Sequence, residues 1–361
     1  MAKILIILAM LLAFTPLGVT SAGANEITDS LGRHVDIPDA ASIHRLVALG
    51  SSMAFVTYLN AQSLVVGVED LDKTALAKPY ILRNKEQFKD FPVVGKGGAV
   101  RIPDYERIIG LKPDVVFIVS TDPGEPDMLQ RKLNIPVVAV SLGLPNFDEE
   151  VFLHSIELVG KILGREKRAD ELVRGVQAIA AELAWRPEAS AVVSAYVGGL
   201  SYKGNQDIKS TAGQFLPFIL AGVKNVADVA GRAGHMFVNK EFLLATNPRL
   251  IFIDANGLPL MRQGMAAEPG YYARLRALRD GKAWLLLPNT AYFNNPEMLY
   301  INAFYVAKAA YPAHYAGLDP AARADEIFRL FVGLPLYKEF TALVGKPGRV
   351  VMDQAELRYA D

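Results

Sequence analysis

One stretch of this sequence occurs twice, and the repetition restricts the folds that the chain can adopt. Residues 103–119, PDYERIIGLKPDVVFIV, align with residues 238–254, VNKEFLLATNPRLIFID. The shift is the same for the shared glutamates and the shared prolines, because 241 − 106 = 135 and 248 − 113 = 135. Each copy places an acidic residue early in a short amphipathic helix, then a proline that ends the helix, then an apolar strand. The repeat therefore predicts two similar α/β lobes.

The rest of the chain fits that division. At 361 residues with 51% hydrophobic content, it is long enough to form two domains. Apolar runs alternate with helical patterns in both halves, which is typical of parallel sheets whose loops gather at the carboxyl ends of the strands. Residues 148–184 contain only helical periodicity. We predict an N-terminal lobe at 25–160, a long rigid joining helix at 161–188 and a C-terminal lobe at 189–361.

The amino terminus has the pattern of an export sequence. Lys3 precedes an apolar run at 4–14, which ends at Pro16 and Gly18 and is followed by small residues up to Ala24. This pattern predicts a cleavable signal peptide at 1–24, with an uncleaved anchor as the alternative. The chain has no cysteine, which excludes disulfides, iron–sulfur clusters and a lipid-modified cysteine. We expect a soluble protein of a Gram-negative periplasm and not a lipoprotein.

Charge and motifs argue against nucleic-acid binding and against catalysis. Lys+Arg and Asp+Glu both number 38, so the basic excess of a nucleic-acid binder is missing. The GxSxG, GxxxxGK[ST] and HExxH motifs do not occur, and residues 95–98, GKGG, lack dinucleotide-binding spacing. The five histidines are isolated in sequence. We predict no catalytic residues and no intrinsic cofactor.

The candidate ligand-binding residues are therefore polar, cationic and aromatic side chains in loops at the strand ends. Aromatic faces with a few cations suit a bulky, partly anionic ligand. The candidates are Ser51, Ser52, Tyr80, Arg83, Lys96, Arg101, Tyr202, Lys203, His235, Met236, Arg262, Tyr271, Tyr272 and Tyr292. The alternative for each is an ordinary solvated loop residue.

Two pairs among these candidates are residue types that can bind a metal. Tyr271 and Tyr272 could bind a ferric ion as phenolates or could pack at a helix start. His235 and Met236 are types of haem ligand, but adjacent residues cannot easily flank one iron, so at most one would serve. We also predict a long polar loop at 255–270, a length that is common in functional or mobile loops.

Several segments, in this order, resemble one family, the class III periplasmic substrate-binding proteins that serve ABC importers for ferric siderophores, haem and cobalamin. The resemblance covers nearly all of the chain after residue 24, and its most specific element is ERIIGLKPD at 106–114. The segments are ITDSLGRHVDIP, RLVALGSS, VVGV, PVVGKGG, PDYERIIGLKPDVV, IPVVAV, NVAD, VNKEFLLATNPRLIFI and ALRDGKAWLLLP.

This resemblance implies two Rossmann-like lobes joined by one rigid helix, with the ligand in the cleft between them and small lobe movements on binding. It also implies that one surface glutamate on each lobe docks on arginines of the permease, and these positions correspond to Glu106 and Glu241. The alternative is that each glutamate only favours its helix dipole, a contribution of about 0.3–1 kcal/mol.

The sequence thus predicts a monomeric, non-enzymatic carrier that captures a metal chelate, a ferric siderophore first, and delivers it to an inner-membrane ABC permease. Haem or cobalamin in the same cleft is one alternative. A free metal ion is another, which would need histidines and carboxylates that converge in the cleft. A chelatase-type enzyme on the same fold is the alternative from a different class.

Overall fold

The computed structural model describes residues 25–98, 100–143, 147–291, 293–353 and 356–360. The predicted signal peptide at 1–24 and the candidate Tyr292 lie outside these residues. None of the helices described is long and apolar enough to cross a membrane.

The first lobe surrounds a four-stranded parallel sheet, preceded by a hairpin of β1 (Asn25–Thr28) and β2 (His34–Ile37). The strand order is β4–β3–β7–β8, and nearly all residues of these strands are buried because helices cover the sheet. The strands after the hairpin are β3 (Leu46–Leu49), β4 (Val65–Gly67), β5 (Gly95–Lys96), β6 (Ile102–Pro103), β7 (Val115–Val119) and β8 (Val137–Val140).

Four helices connect these strands, and two longer ones follow. The connecting helices are α1 (Met53–Tyr58), α2 (Pro79–Phe88), α3 (Tyr105–Gly110) and α4 (Gly124–Leu133). The following pair is α5 (Glu149–Ile162) and α6 (Glu166–Glu182), which pack on each other. The break between them falls at Gly164, where φ is 61°, a conformation that favours glycine. The segment predicted to join the lobes therefore contains the end of α5 and the whole of α6.

The second lobe surrounds a six-stranded sheet of order β11–β9–β13–β14–β17–β18. The first four strands are parallel, and the last two are antiparallel additions at the edge. The strands of this half are β9 (Ser194–Gly198), β10 (Ser210–Gly213), β11 (Lys224–Asn225), β12 (Gly234–Phe237), β13 (Leu250–Asp254), β14 (Ala283–Leu286), β15 (Thr290–Ala291), β16 (Phe293–Asn294), β17 (Gly348–Asp353) and β18 (Glu356–Tyr359). The predicted α/β class is confirmed.

The described part of this lobe also contains the α-helices α7 (Leu216–Leu220), α8 (Lys240–Thr246), α9 (Leu258–Ala267), α10 (Pro269–Arg274), α11 (Arg276–Arg279), α12 (Pro296–Ala310), α13 (Pro320–Val332) and α14 (Tyr337–Val344). The prediction of a long polar loop at 255–270 is wrong, because α9 and the start of α10 occupy it. Leu258, Met261 and Met265 have helical spacing, and the two methionines are buried. Prolines in the first turns of both helices suit helix starts.

The sequence repeat corresponds to a repeat of structure in finer detail. Asp104 caps α3 by accepting a hydrogen bond from the Arg107 N–H at 3.0 Å. Asn239, the matched residue, caps α8 by accepting from the Phe242 N–H at 2.7 Å. Each helix is followed by a left-handed residue, Lys112 with φ 49° and Asn247 with φ 39°. Both copies therefore form the same type of αβ unit. The helix is capped in the same way in each, and a left-handed residue follows it at the matched position.

The two lobes share a continuous apolar core. Helix α13 belongs to the carboxyl-terminal half, yet it packs against α1, α2 and α6 as well as α12. Phe331 of α13 lies at the centre, with its ring centroid 5.1 Å from Tyr58, 6.4 Å from Phe152 and 6.0 Å from Tyr300. The lobes are therefore joined by packed side chains in addition to the covalent connection.

The left-handed residues that follow the two repeated helices give a prediction about stability. Lysine at a positive φ costs about 1–2 kcal/mol relative to glycine, while asparagine tolerates that conformation better. Lys112→Gly should therefore raise the free energy of unfolding by about 1 kcal/mol, and the matched Asn247→Gly should raise it less. Urea denaturation of the two variants measures both effects. A larger gain at Asn247 would contradict the prediction.

Candidate functional site

The first lobe presents a tight loop after β3, supported by a buried carboxylate. Glu69 follows β4 and is 1% exposed, and its Oε2 accepts a hydrogen bond from the Gly50 N–H at 2.9 Å. Ser51 adopts φ 68°, an uncommon conformation for serine. The loop is thus held in a strained shape by a side chain of the neighbouring strand.

A guanidinium group lies directly over this loop. A Cβ on Gly50 would stand 1.7 Å from Nη1 of Arg101, so only glycine allows the arginine to pack there. Arg101 donates to the Val119 carbonyl at 3.2 Å and forms an ion pair with Glu125 at 3.0 Å. Its charge is therefore already paired, and an anionic ligand would have to compete with Glu125 for it.

In the second lobe, one buried carboxylate connects the loops after two neighbouring strands. Asp254 ends β13 and is fully buried, and it accepts from the Asn256 and Asn289 N–H groups, both at 2.9 Å. Burial raises the pKa of Asp254 to about 7, while the two backbone donors act in the opposite direction. The loops after β13 and β14 are therefore held by one acidic residue.

The loop after β9 joins the same arrangement. Asn256 donates from Nδ2 to Ser201 Oγ at 3.1 Å and to the Thr290 carbonyl at 2.8 Å. A Cβ on Gly257 would lie 2.4 Å from the Gly199 Cα, so the two loops touch backbone to backbone. Three loops at the carboxyl edge of the second sheet thus form one cross-linked surface, the place where ligands bind in open α/β sheets.

Beside these loops lies a cluster of partly exposed rings, Tyr202, His235 and Phe237, here called the aromatic platform. The Tyr202 and His235 rings stack at 4.2 Å with an interplanar angle of 6°, and Phe237 packs edge-on to His235 at 4.9 Å. Phe237 is 56% exposed and Tyr202 is 44% exposed. Lys203 lies over the Tyr202 ring at 5.6 Å. An open aromatic surface with an adjacent cation suits a flat or bulky anionic ligand.

The hydrogen bonds of His235 determine which of its nitrogens is protonated. Ser210 donates its hydroxyl proton to the Leu200 carbonyl at 2.6 Å. Its oxygen must therefore accept in the 2.8 Å contact with His235 Nε2, which places the ring proton on that nitrogen. Burial lowers the pKa of His235, so the ring is neutral near pH 7. Its Nδ1 carries a lone pair that could accept a hydrogen bond or bind a metal.

The structure places the predicted first-lobe residues in three settings. Ser51, Ser52 and Tyr80 are buried, with the Ser52 hydroxyl bonded to the Phe117 carbonyl and the Tyr80 hydroxyl to Asp72. Arg83 donates to the Val332 carbonyl of the other lobe at 3.1 Å. Lys96 is exposed. Of this group, Ser51, Ser52 and Arg101 lie at the loop after β3.

The predicted second-lobe residues divide similarly. Tyr202, Lys203 and His235 come together, whereas Met236, the strand neighbour of His235, is buried. Adjacent strand residues project to opposite faces, which agrees with the argument that the pair cannot flank one iron.

Three further candidates lie among the helices of the second lobe. Tyr271 and Tyr272 pack edge-on in α10, and burial raises the pKa of Tyr272 to about 12, which keeps the phenol protonated. Arg262 donates to the Leu357 carbonyl of the edge strand β18 at 3.3 Å.

No metal-binding cluster occurs among the described residues of the cleft. Within the described ranges, no group of three or more His, Asp or Glu residues could hold a metal ion, which leaves the free-metal alternative without a ligand set. Two cavities, of about 310 and 540 Å³, lie near the first hairpin and near the loop between α12 and α13, away from the strand-end loops.

Sequence reasoning missed the residues that support the site. Glu69 and Asp254 each stand at the end of an apolar strand, as VVGVE and LIFID show, and a carboxylate at that position could have been recognised. Phe237 offered no comparable pattern, because its exposure depends on how β12 pairs with β10.

A family model described as periplasmic binding protein matches residues 57–289. The chain belongs to the periplasmic binding protein family. The two-lobed α/β fold is thereby confirmed, and so is the resemblance to the binding proteins of ABC importers. Membership in this family implies the periplasm as its location.

Two relatives show how far the similarity extends. The molybdate-binding protein MolA of Haemophilus influenzae is 30% identical over 328 residues, which cover 84% of this chain and 90% of MolA. Its molybdate-bound structure superposes with a TM-score of 0.65 at 25% identity, covering 85% of this chain and 98% of MolA. The ferric-anguibactin-binding protein FatB of Vibrio anguillarum is 25% identical over 254 residues, covering 65% of this chain and 70% of FatB.

A structure of Helicobacter pylori CeuE with a nickel–histidine complex shares the fold, with a TM-score of 0.64 at 16% identity, covering 89% of this chain and 99% of CeuE. The two sequence relatives are named for what they bind, molybdate and ferric anguibactin, and these ligands differ.

The buried carboxylate of the second lobe gives a prediction about pH. The pKa of Asp254 is raised from about 4 in the unfolded chain to about 7 in the fold, so the folded state binds a proton that the unfolded state releases between these values. The stability contribution of this proton is complete below pH 4 and is lost as the pH rises through 7. Urea unfolding at pH 5 and pH 8 should show this loss.

Asp254→Asn serves as the comparison, because it cannot titrate and its single oxygen satisfies only one of the two backbone donors. The variant should be destabilised by about 1–3 kcal/mol, and the difference between wild type and variant should shrink from pH 5 to pH 8. A constant difference across this range would contradict the assignment.

Proposed function

We propose that this protein is the periplasmic binding component of an ABC importer and captures a negatively charged metal chelate, with a ferric siderophore as the first candidate. The observation that carries the choice of cargo is the aromatic platform of Tyr202, His235 and Phe237, open to solvent beside the loops of the second sheet. Stacked rings contribute most when they cover a flat ligand, and such a ligand is larger than a tetrahedral oxyanion.

Haem or cobalamin would use the same surface. For haem, the Nδ1 lone pair of His235 would be available to the iron, because the Nε2 proton is held by Ser210. A chelatase-type activity has less support, since the relatives are named as binding proteins.

A second candidate cargo is a tetrahedral oxyanion, which is favoured by the 30% identity to a molybdate-binding protein. An oxyanion is recognised by backbone N–H groups and by arginine. Arg101 would be the principal cation, and it would have to exchange its pairing with Glu125 for the ligand. The two classes of cargo would thus bind to different residues, a chelate to the aromatic platform and an oxyanion to Arg101.

Docking to the permease is proposed for Glu106 and Glu241. Both are exposed, both occupy the second position of a capped helix, and neither forms an ion pair within the described part of the chain. Among the exposed acidic residues, they are the pair that the repeat makes equivalent. A permease built from two similar halves would meet one such carboxylate on each lobe.

The domain boundaries remain part of the proposal: lobes at 25–160 and 189–361 joined through 161–188, with a signal peptide at 1–24. Helix α6 (Glu166–Glu182) would be the rigid connection. Its buried residues belong to the same apolar cluster as residues of both lobes, which supports a small range of lobe movement.

The docking role predicts a loss of transport without a loss of binding. Glu106→Ala combined with Glu241→Ala should abolish uptake by cells, because both lobes lose the carboxylate that would dock on the permease. The affinity of the purified protein for its cargo should stay unchanged. Glu157→Ala combined with Glu188→Ala removes two exposed glutamates elsewhere and is the matched control. A decrease in cargo affinity would place Glu106 or Glu241 in the cleft instead.

The cargo class is tested by titration calorimetry with a ferric catecholate siderophore and with molybdate. For a chelate, Tyr202→Ala and Phe237→Ala should each weaken binding by about tenfold, corresponding to loss of about 1.4 kcal/mol of stacking. Trp185→Ala, which removes a partly exposed ring stacked on His314 elsewhere, should leave binding intact. Binding of molybdate alone, insensitive to the platform variants, would select the oxyanion.

A further inference from the structure

A buried charged network crosses from one lobe to the other beneath the strand-end loops. Its members are at most 2% exposed: Tyr58, Glu69, Asp72, Lys78 and Tyr80 from the first lobe, and Asn295 and Glu297 from the start of α12 in the second. Burial of four ionisable groups that can carry full charge is costly unless each is compensated by a partner.

The first-lobe part of the network supports the loop after β3. Glu69 holds the Gly50 N–H, and Asp72 accepts from the Glu69 N–H at 3.1 Å. The Tyr80 hydroxyl donates to Asp72 at 3.0 Å, which ties α2 to the residues that follow β4. Any displacement of these groups would therefore move the loop.

Two contacts continue the network into the second lobe. Tyr58 donates to Glu297 Oε2 at 2.7 Å, and Lys78 Nζ lies 3.4 Å from Asn295 Oδ1. Lys78 is attracted by Glu297, Asp72 and Glu69, one carboxylate of the second lobe and two of the first. Burial lowers the pKa of Lys78 to about 8, raises the pKa of Asp72 to about 6 and raises the pKa of Glu297. Lys78 is thus the single cation between carboxylates of both lobes within this network.

We propose that Lys78 and Glu297 are positioning residues, which fix the angle between the lobes and thereby set both the shape of the loop at 50–52 and the spacing of Glu106 and Glu241. The functional meaning of this spacing rests on the proposed docking role of the two glutamates. The buried network is observed independently of that role. Apolar packing around Phe331 is not directional, whereas the hydrogen bonds that buried Lys78 and Glu297 form with Asn295 and Tyr58 select one arrangement. The lobe angle is then a property of the ligand-free protein.

The test measures the lobe spacing directly and needs neither cargo nor permease. Because the chain has no cysteine, Gly110→Cys and Ala245→Cys allow two spin labels at matched exposed positions of the repeat, and a side chain at Gly110 would meet open space. The distance distribution between the labels is measured by pulsed electron paramagnetic resonance. Amide exchange of the peptide that contains Gly50 is followed in parallel.

Lys78→Met leaves Glu297 buried without its cation, so the distance distribution should broaden by about twofold and exchange at Gly50 should become faster. Adding Glu297→Gln removes the stranded charge and should recover stability against urea, but the distribution should stay broad because the directional contacts between the lobes are still missing. The matched control is the half-exposed pair Lys85 and Glu339, which also joins the lobes. Lys85→Met should leave the distribution unchanged, because solvent screens that pair.

Tyr58→Phe keeps every charge and removes only the hydroxyl donated to Glu297, and it covers the case in which Lys78→Met does not fold. It too should broaden the distribution. A folded Lys78→Met with the native distribution would overturn the proposal. If Lys78→Met does not fold, a native distribution in both Tyr58→Phe and Glu297→Gln would overturn it equally. Loss of transport in the Glu106 and Glu241 variants is a separate result, so the two proposals can fail independently.

Discussion

The structure depends on how two sheets from separate halves of the chain are held against each other. Helix α13 inserts Phe331 among Tyr58, Phe152 and Tyr300, so the main apolar core extends through both lobes. Apolar burial supplies most of the free energy of such a junction, but it tolerates sliding. The buried contacts of Lys78 and Glu297 add direction, because a charge displaced from its partner in a low-dielectric interior is costly.

Buried side chains also hold the loops at the edges of both sheets. Glu69 in the first lobe and Asp254 in the second are buried carboxylates at strand ends, and each accepts backbone N–H groups of the adjoining loops. A buried acceptor of this kind fixes the geometry of the loop whose backbone it binds. The residues beside them are the largely buried Arg101 on one side and the more exposed aromatic platform on the other, and we propose that they favour different cargo. The relatives named for molybdate and for ferric anguibactin show that the fold accommodates both kinds of cargo.

Much of the architecture could be predicted from periodicity. Strands such as residues 115–119 and 250–254 are short apolar runs after a helix stop, and the spacing of the repeat marked the equivalent units. The helix at 258–267 was missed because its polar and glycine residues outweighed the spacing of Leu258, Met261 and Met265. Among the candidate residues, Tyr80 and Ser52 are buried. Composition cannot distinguish a hydroxyl that faces a ligand from one that supports a loop.

The sequence by itself determined the local units: the two capped αβ repeats, the exposed glutamate in each, the absence of cysteine and the alternation of strands and helices. These features depend on neighbours within a few residues, where backbone propensity and side-chain period act. Only the tertiary structure decided that Tyr202 stacks on His235, that Ser210 places the imidazole proton, and that Tyr58 donates to Glu297 across the lobes. Each of these contacts joins residues far apart in the chain, and their energies arise only when folding brings the partners together and excludes water.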